Sequence, residues 1–270
     1  MYRGSLLFLL LSSVGLAATE FSPWLGKDFE IETRAQCLYQ SYHRVEGAEG
    51  PFKRHSNDYF YNFSAAFSAL DYSAEIETTI ANTHHQHPAC DNVRLTGRYR
   101  LLNDIVDEDV FTITPGITLI QAFNHSLDDI SSFHHGKLAG ELHLAIGKEI
   151  PCDAFWRSRT WAVVGIGCAD HGSPWMRGDL YYERNWWDRQ QLRWFLHTLW
   201  GFGHEDLETL KHFGGYGSIR HQSIDFGVRY SYLFDSGLTF SLQYARRLYA
   251  RNFPEQVNLL TANIFYPFGL

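Results

Sequence analysis

The residues best suited to chemistry fall into four groups. His221 and Ser223 stand two positions apart, which puts an imidazole and a hydroxyl on one face of an extended strand, where a base could meet a nucleophile. A hydrolase also needs an acid to orient the base. The available one, Asp235, lies at the far end of the same strand, on the order of 40 Å away at about 3.3 Å per residue. An ordinary polar strand start accounts for the pair better. His84, His85 and His87 precede Cys90, with His125, His134 and His135 further on. A thiol and imidazoles gathered on one rim could hold zinc or copper, although loop histidines without a scaffold simply meet water. Cys37, Cys90, Cys152 and Cys168 contain no CxxC pair. Cys90 and Cys168 are the candidates for a disulfide, since they fall on the same side of the predicted topology.

The fourth group is charged. Glu75 and Glu77 alternate with apolar residues, and Arg94, Arg98 and Arg100 do the same one segment later. A hairpin register summing to 175 would set Glu77 opposite Arg98 and Glu75 opposite Arg100, as cross-strand ion pairs. Arg177, Asp179, Glu183 and Arg229 occupy equivalent alternate positions, as do Glu30, Glu32, Arg34, Glu141 and His143. Such residues would either pair and hydrate an interior or form a charged constriction selecting small solutes.

The elements that must carry these groups are strands. Phe29, Ile31, Thr33, Ala35, Cys37 and Tyr39 alternate with polar residues, and Val93 to Leu101 repeats the pattern with three arginines on one face. Period two recurs through Tyr59–Leu70, Tyr72–Ala81, Val110–Phe123, Lys137–Lys148, Arg157–Gly167, Trp175–Arg184, Gln222–Phe234, Leu238–Arg246 and Val257–Phe268. Asp235-Ser236-Gly237 reads as a hairpin turn. Segments of about ten residues suit a tilted membrane crossing, and the connections alternate between short and long, as in membrane barrels. A strand over Leu192–Trp200 makes the total twelve. Helical spacing there would lower the count to eleven or ten, and Gly203–Phe213 reads as a short helix in an outer loop, capped by Gly214 and Gly215.

Composition narrows the class. The chain has 270 residues, 23 Lys and Arg against 30 Asp and Glu, and a net charge of −7. That balance argues against nucleic acid as a partner. Nothing in the pattern calls for a cofactor. Residues 1–18 hold Arg3, the apolar block Leu6–Leu11 and small residues up to Ala18, the order of a cleaved export signal. Residues 19–270 then form a single barrel domain. Aromatics are 16% of the chain. Tyr59, Tyr61, Tyr72, Tyr99, Phe111, Phe123, Trp161, Trp175, Tyr182, Tyr230, Phe234 and Tyr266 fall near strand ends, where interfacial girdles sit.

The last strand, with Leu260, Ala262, Ile264, Tyr266 and Phe268 on one face, resembles the closing strand of bacterial outer-membrane β-barrel proteins. That resemblance implies an all-β, antiparallel up-and-down transmembrane barrel in the outer-membrane bilayer and recognition by the barrel-assembly machinery. Gly269, Leu270 and Pro267 depart from the usual ending. His221-Gln222-Ser223 is similar to the His-x-Ser element of outer-membrane phospholipase A and lipid A deacylases, but Ile224 stands where those families place Asn. The expectation is therefore an outer-membrane barrel, a narrow channel or a surface-exposed structural component and more readily non-enzymatic than not. A membrane lipid hydrolase and a soluble secreted barrel binding an apolar ligand are the alternatives.

Overall fold

The computed structural model describes residues 21–107, 109–152, 155–209 and 213–269. The proposed leader over 1–18 lies outside them. The strands are β1 (Glu30–Val45), β2 (Phe52–Ala69), β3 (Tyr72–Asn82), β4 (Ala89–Tyr99), β5 (Thr112–Ala122), β6 (Leu138–Cys152) and β7 (Phe155–Ala169). They continue as β8 (Trp175–Trp186), β9 (Gln190–Gly201), β10 (Gln222–Leu233), β11 (Thr239–Arg251), the two-residue β12 (Pro254–Glu255) and β13 (Asn258–Gly269). Twelve of them are long and pair antiparallel in sequence order. β1 closes the ring by pairing with both β2 (Glu30↔Ser68) and β13 (Glu30↔Gly269). Closure satisfies every backbone ladder without leaving an edge.

The wall is oily outside and polar inside. Ile76, Leu95, Leu142 and Ile166 point outward and are each more than half exposed, whereas Glu77, Arg94, Glu183 and Arg193 point inward and are buried. A water-soluble barrel around an apolar ligand requires the reverse, so that expectation is overturned by the side-chain distribution. The twelve long strands run from 11 to 18 residues, longer than the usual strand of about five to six.

Alternation placed most of the aromatics correctly: Tyr59, Tyr72, Tyr99, Tyr182, Tyr230 and Phe234 are exposed on the outer face. Trp161 and Trp175 are corrections. Both are buried in the lumen, because they share the phase of Val163 and of Arg177 on their own strands. β9 is a strand along its whole length, with Arg193 opposite Glu183 and Arg229, which settles the count at twelve. No helix forms among the described residues of 203–213; the short helix α1 (Asn124–Leu127) lies in a different long loop. The described residues of 203–213 pack into the barrel mouth instead. There Leu207 and Phe213 are buried, and the Leu207 amide donates to Asn252 Oδ1 at 3.1 Å.

Candidate functional site

The inward residues meet in the lumen, where carboxylates and guanidinium groups pair. Arg193 donates to Glu183 Oε1 through Nε at 3.1 Å and Nη2 at 2.9 Å. Arg177 reaches Glu141 Oε1 at 2.7 Å and Asp179 Oδ2 at 3.2 Å. Arg159 donates to Glu149 at 2.5–2.7 Å, and Arg247 to both oxygens of Asp225 at 2.7 and 2.9 Å. Across β1, β3 and β4 the pairs are looser: Arg94–Glu77 is 3.3 Å and Arg34–Glu75 3.5 Å. Arg229 also faces inward and is buried.

The register expected between β3 and β4 is corrected by four positions. Glu77 stands opposite Arg94, Glu75 opposite Thr96, and Ser73 opposite Arg98, with a bulge at Thr79/Ile80. Tyr72 and Tyr99 pair across the strands in this register at the outer face, their rings tilted with centroids 4.8 Å apart. Arg100 consequently falls beyond β4 and pairs with Asp71 at 2.9 Å beside the short turn, outside the charged lumen.

Two sets of chain segments fill the space between the walls. At the short-turn end, Phe29 adopts a left-handed φ of 58°, and the residues before it fold back inside the barrel. Phe21 stacks on His143 at 3.8 Å and lies 4.8 Å beneath the Arg177 guanidinium. Thr114 donates to the Pro23 carbonyl at 2.5 Å. Trp24 meets Trp161 edge-on and donates its indole N–H to Asp104 Oδ1 at 2.9 Å. Gly26 approaches the wall closely: a Cβ there would stand 3.0 Å from both Glu32 Oε1 and Ser68 Oγ.

The long-loop end is filled by the 123–137 connection and by the described residues of 202–221. Phe133 packs edge-on against His221 and Phe253, and His135 stacks on Trp175 at 3.7 Å. The Tyr216 hydroxyl donates to the Ile130 carbonyl at 3.0 Å, and His134 Nε2 meets Asp91 Oδ2 at 2.9 Å. Burial pushes the His135 imidazole well below the usual range, helped by His221 and His134, and brings His221 down to about 4. Burial raises the Asp129 carboxyl. Between the two fillings lies a cavity of about 50 Å³ bordered by His135, Trp175, Arg177, His197 and Asp225. That is room for a few waters, at roughly 10–15 Å³ each, and not for a solute.

The remaining sequence candidates do not assemble. His221 and Ser223 both face the lumen, but His221 Nδ1 is directed to the Ile219 carbonyl at 3.0 Å, and Asp225, the nearest carboxylate on that strand, is taken by Arg247. His84, His85 and His87 are exposed, and among the described residues no cluster of three His, Cys, Asp or Glu could hold a metal. Cys90 and Cys168 are both free thiols. Two strands, β5 and β6, separate β4 from β7, about 14 Å of wall at roughly 4.8 Å per strand, beyond the reach of a disulfide. The fold-back of residues 21–28 went unseen in the sequence. Its signal is an apolar cluster, Phe21, Trp24 and Leu25, stranded between the leader and the first alternating segment.

No family model and no curated protein matches the chain. Solved structures do. The COG4313 outer membrane channel from Pseudomonas putida F1 superposes with a TM-score of 0.69 at 10% identity, over 90% of this chain and 96% of that one. The fold is that of a bacterial outer-membrane β-barrel. The translocator domain of the autotransporter NalP from Neisseria meningitidis is more distant, with a TM-score of 0.46 at 10% identity over 91% of this chain and 90% of that one. Within this outer-membrane-type barrel, the charged lumen is filled from both ends by the chain's own segments.

Proposed function

We propose that the protein is an outer-membrane channel for small polar solutes that rests closed. The short-turn end faces the periplasm and the long loops face outward, in keeping with the usual asymmetry of such barrels. One observation carries the reading. The lumen is lined with charge, as a polar pathway requires, yet it is filled by chain segments rather than by wall side chains. Those segments, 21–28 and the two long loops, are held by non-covalent contacts such as Trp24–Asp104 and His135–Trp175, and they can leave without breaking the wall. The similarity to a solved outer-membrane channel supports the same reading. Export by the 1–18 leader, its removal, and delivery to the barrel-assembly machinery through the closing strand belong to this proposal.

The reading is tested by reconstitution. Detergent-extracted protein should migrate differently folded and boiled, and in planar bilayers it should give brief, low-conductance openings. Silence at all voltages despite insertion would leave a structural or surface role instead, and a steady large current would contradict the resting closure.

A further inference from the structure

The two sides of the lumen are not satisfied equally. On β6–β11, Glu141, Glu149, Glu183 and Asp225 each accept hydrogen bonds from an arginine at 3.1 Å or less. On the β1–β4 side, Glu32 is 3% exposed, and neither of its oxygens has a hydrogen-bond partner among the described residues. Arg98 is 4% exposed; it donates through Nη2 to Ser73 Oγ at 3.3 Å, while Nε and Nη1 have no partner. Arg34 and Glu75 engage each other at 3.5 Å, while Glu32 and Arg98 attract each other from beyond hydrogen-bonding contact. Gly26 ties Glu32 to Ser68, since its Cβ position is 3.0 Å from both side chains. Gly116 ties Arg98 to His143, with its Cβ position 2.9 Å from Arg98 Cγ and 2.2 Å from His143 Nε2. Register links the two halves, because Ser68 is paired with Ser73 and Ser73 with Arg98.

Buried polar atoms are rarely left unpaired, and a buried unpaired charge costs several kcal/mol. A lone cation would satisfy Glu32 and leave Arg98; a lone anion would do the opposite. A molecule carrying both charges satisfies both groups. We propose that this side of the lumen is a binding site for a small zwitterion, its ammonium on Glu32, beside Ser68, and its carboxylate on Arg98 and His143. The backbone of Gly26 covers the site, so the fold-back segment controls access to it. The passage part of this inference rests on the channel reading above; the binding part does not.

Glycine and its uncharged isomer glycolamide separate the outcomes. Ser68→Cys, in a background with Cys37, Cys90, Cys152 and Cys168 changed to Ser, places a thiol beside Glu32, and its alkylation by iodoacetamide is followed in folded protein. Glycine should protect this thiol and glycolamide should not. Glu32→Gln or Arg98→Gln should raise the half-protecting glycine concentration about tenfold, the loss of one charge-assisted hydrogen bond. Glu183→Gln on the opposite side should leave it unchanged. Folded migration on gels qualifies each variant, and the comparison of the two isomers in the parent stands without any charge variant. In a parallel proteoliposome swelling assay, glycine should enter faster than glycolamide. Equal protection by the two isomers, or protection that survives both charge variants, overturns the site. Selective protection without swelling by either isomer keeps the site and overturns the channel reading.

Discussion

Arg193 and Glu183 show whether the lumen is packed or wet. Their side chains are 1% and 2% exposed, and the guanidinium donates twice to one carboxylate oxygen at 2.9 and 3.1 Å. Arg193 also lies 4.7 Å over the Trp161 ring, so the pair is shielded by an aromatic face. Arg193→Met would leave Glu183 buried without this partner. Of the neighbouring guanidinium groups, Arg159 is already held by Glu149 at 2.5–2.7 Å, and Arg229 stands opposite Arg193 on β10, one strand further from Glu183. Breaking a buried pair from one side costs about 3–5 kcal/mol, a large share of the roughly 5–15 kcal/mol that holds a domain folded. In a water-filled lumen the same pair would contribute only about 0–1 kcal/mol. The assay is urea unfolding in lipid vesicles, read by folded and boiled migration on gels. Arg193→Met should lose several kcal/mol, and adding Glu183→Leu should recover most of it by removing the stranded charge. A single-variant loss under about 1 kcal/mol, with no recovery in the double variant, would show a hydrated lumen and refute the packed interior.

Other expectations follow from the same contacts. Trp24→Ala should weaken docking of residues 21–28 by about 3–5 kcal/mol, as for other buried tryptophans; Asp104 keeps donors from Thr112 and the Glu149 amide. Longer channel openings with an unchanged unfolding midpoint would match this. Asn252 holds the inward loop through Asp206 and the Arg220 carbonyl, each at 2.8 Å, and through the Leu207 amide. Asn252→Ala should cost about 1–3 kcal/mol of loop docking, seen as faster proteolysis within 202–221 while the barrel stays intact. Burial holds the imidazoles of His135 and His221 neutral, the latter down to about 4. Their released forms bind protons below about 6.5, so loop packing is fully supported above that pH and weakens as pH falls toward 4. Asp129, raised by burial, titrates in the opposite sense. Opening frequency should therefore rise on acidification in the wild type and lose much of that dependence in His221→Phe.

The barrel itself was legible because period two exposes a face. Phe226, Val228 and Tyr230 against Asp225, Gly227 and Arg229 could be sorted into outside and inside without a structure. Even β9 followed, despite its partly helical spacing, since the neighbouring strands needed a partner. What escaped is set by three-dimensional closure. The β3–β4 register depends on a bulge and on a Tyr72–Tyr99 contact, neither of which pattern reveals, so the four-position shift and the exit of Arg100 from the lumen could not be read. Gly203–Phe213, followed by Gly214 and Gly215, suggested a short helix, whereas Leu207 and Phe213 are buried by folding inward over the lumen. The lumen-facing charges were visible as a set, but which of them remain unsatisfied depends on distances across the barrel.

The central claim is a membrane-type barrel whose lumen is shut by its own chain, by residues 21–28 at one end and by the long loops at the other. It is tested most directly by replacing Phe21–Lys27 with a Gly/Ser sequence of equal length and recording both proteins in planar bilayers. The replaced protein should fold with the same heat-modifiable migration and conduct in long openings, while the wild type stays mostly closed. If the replacement inserts as a folded barrel and remains as silent as the wild type, the segment is not what closes the lumen.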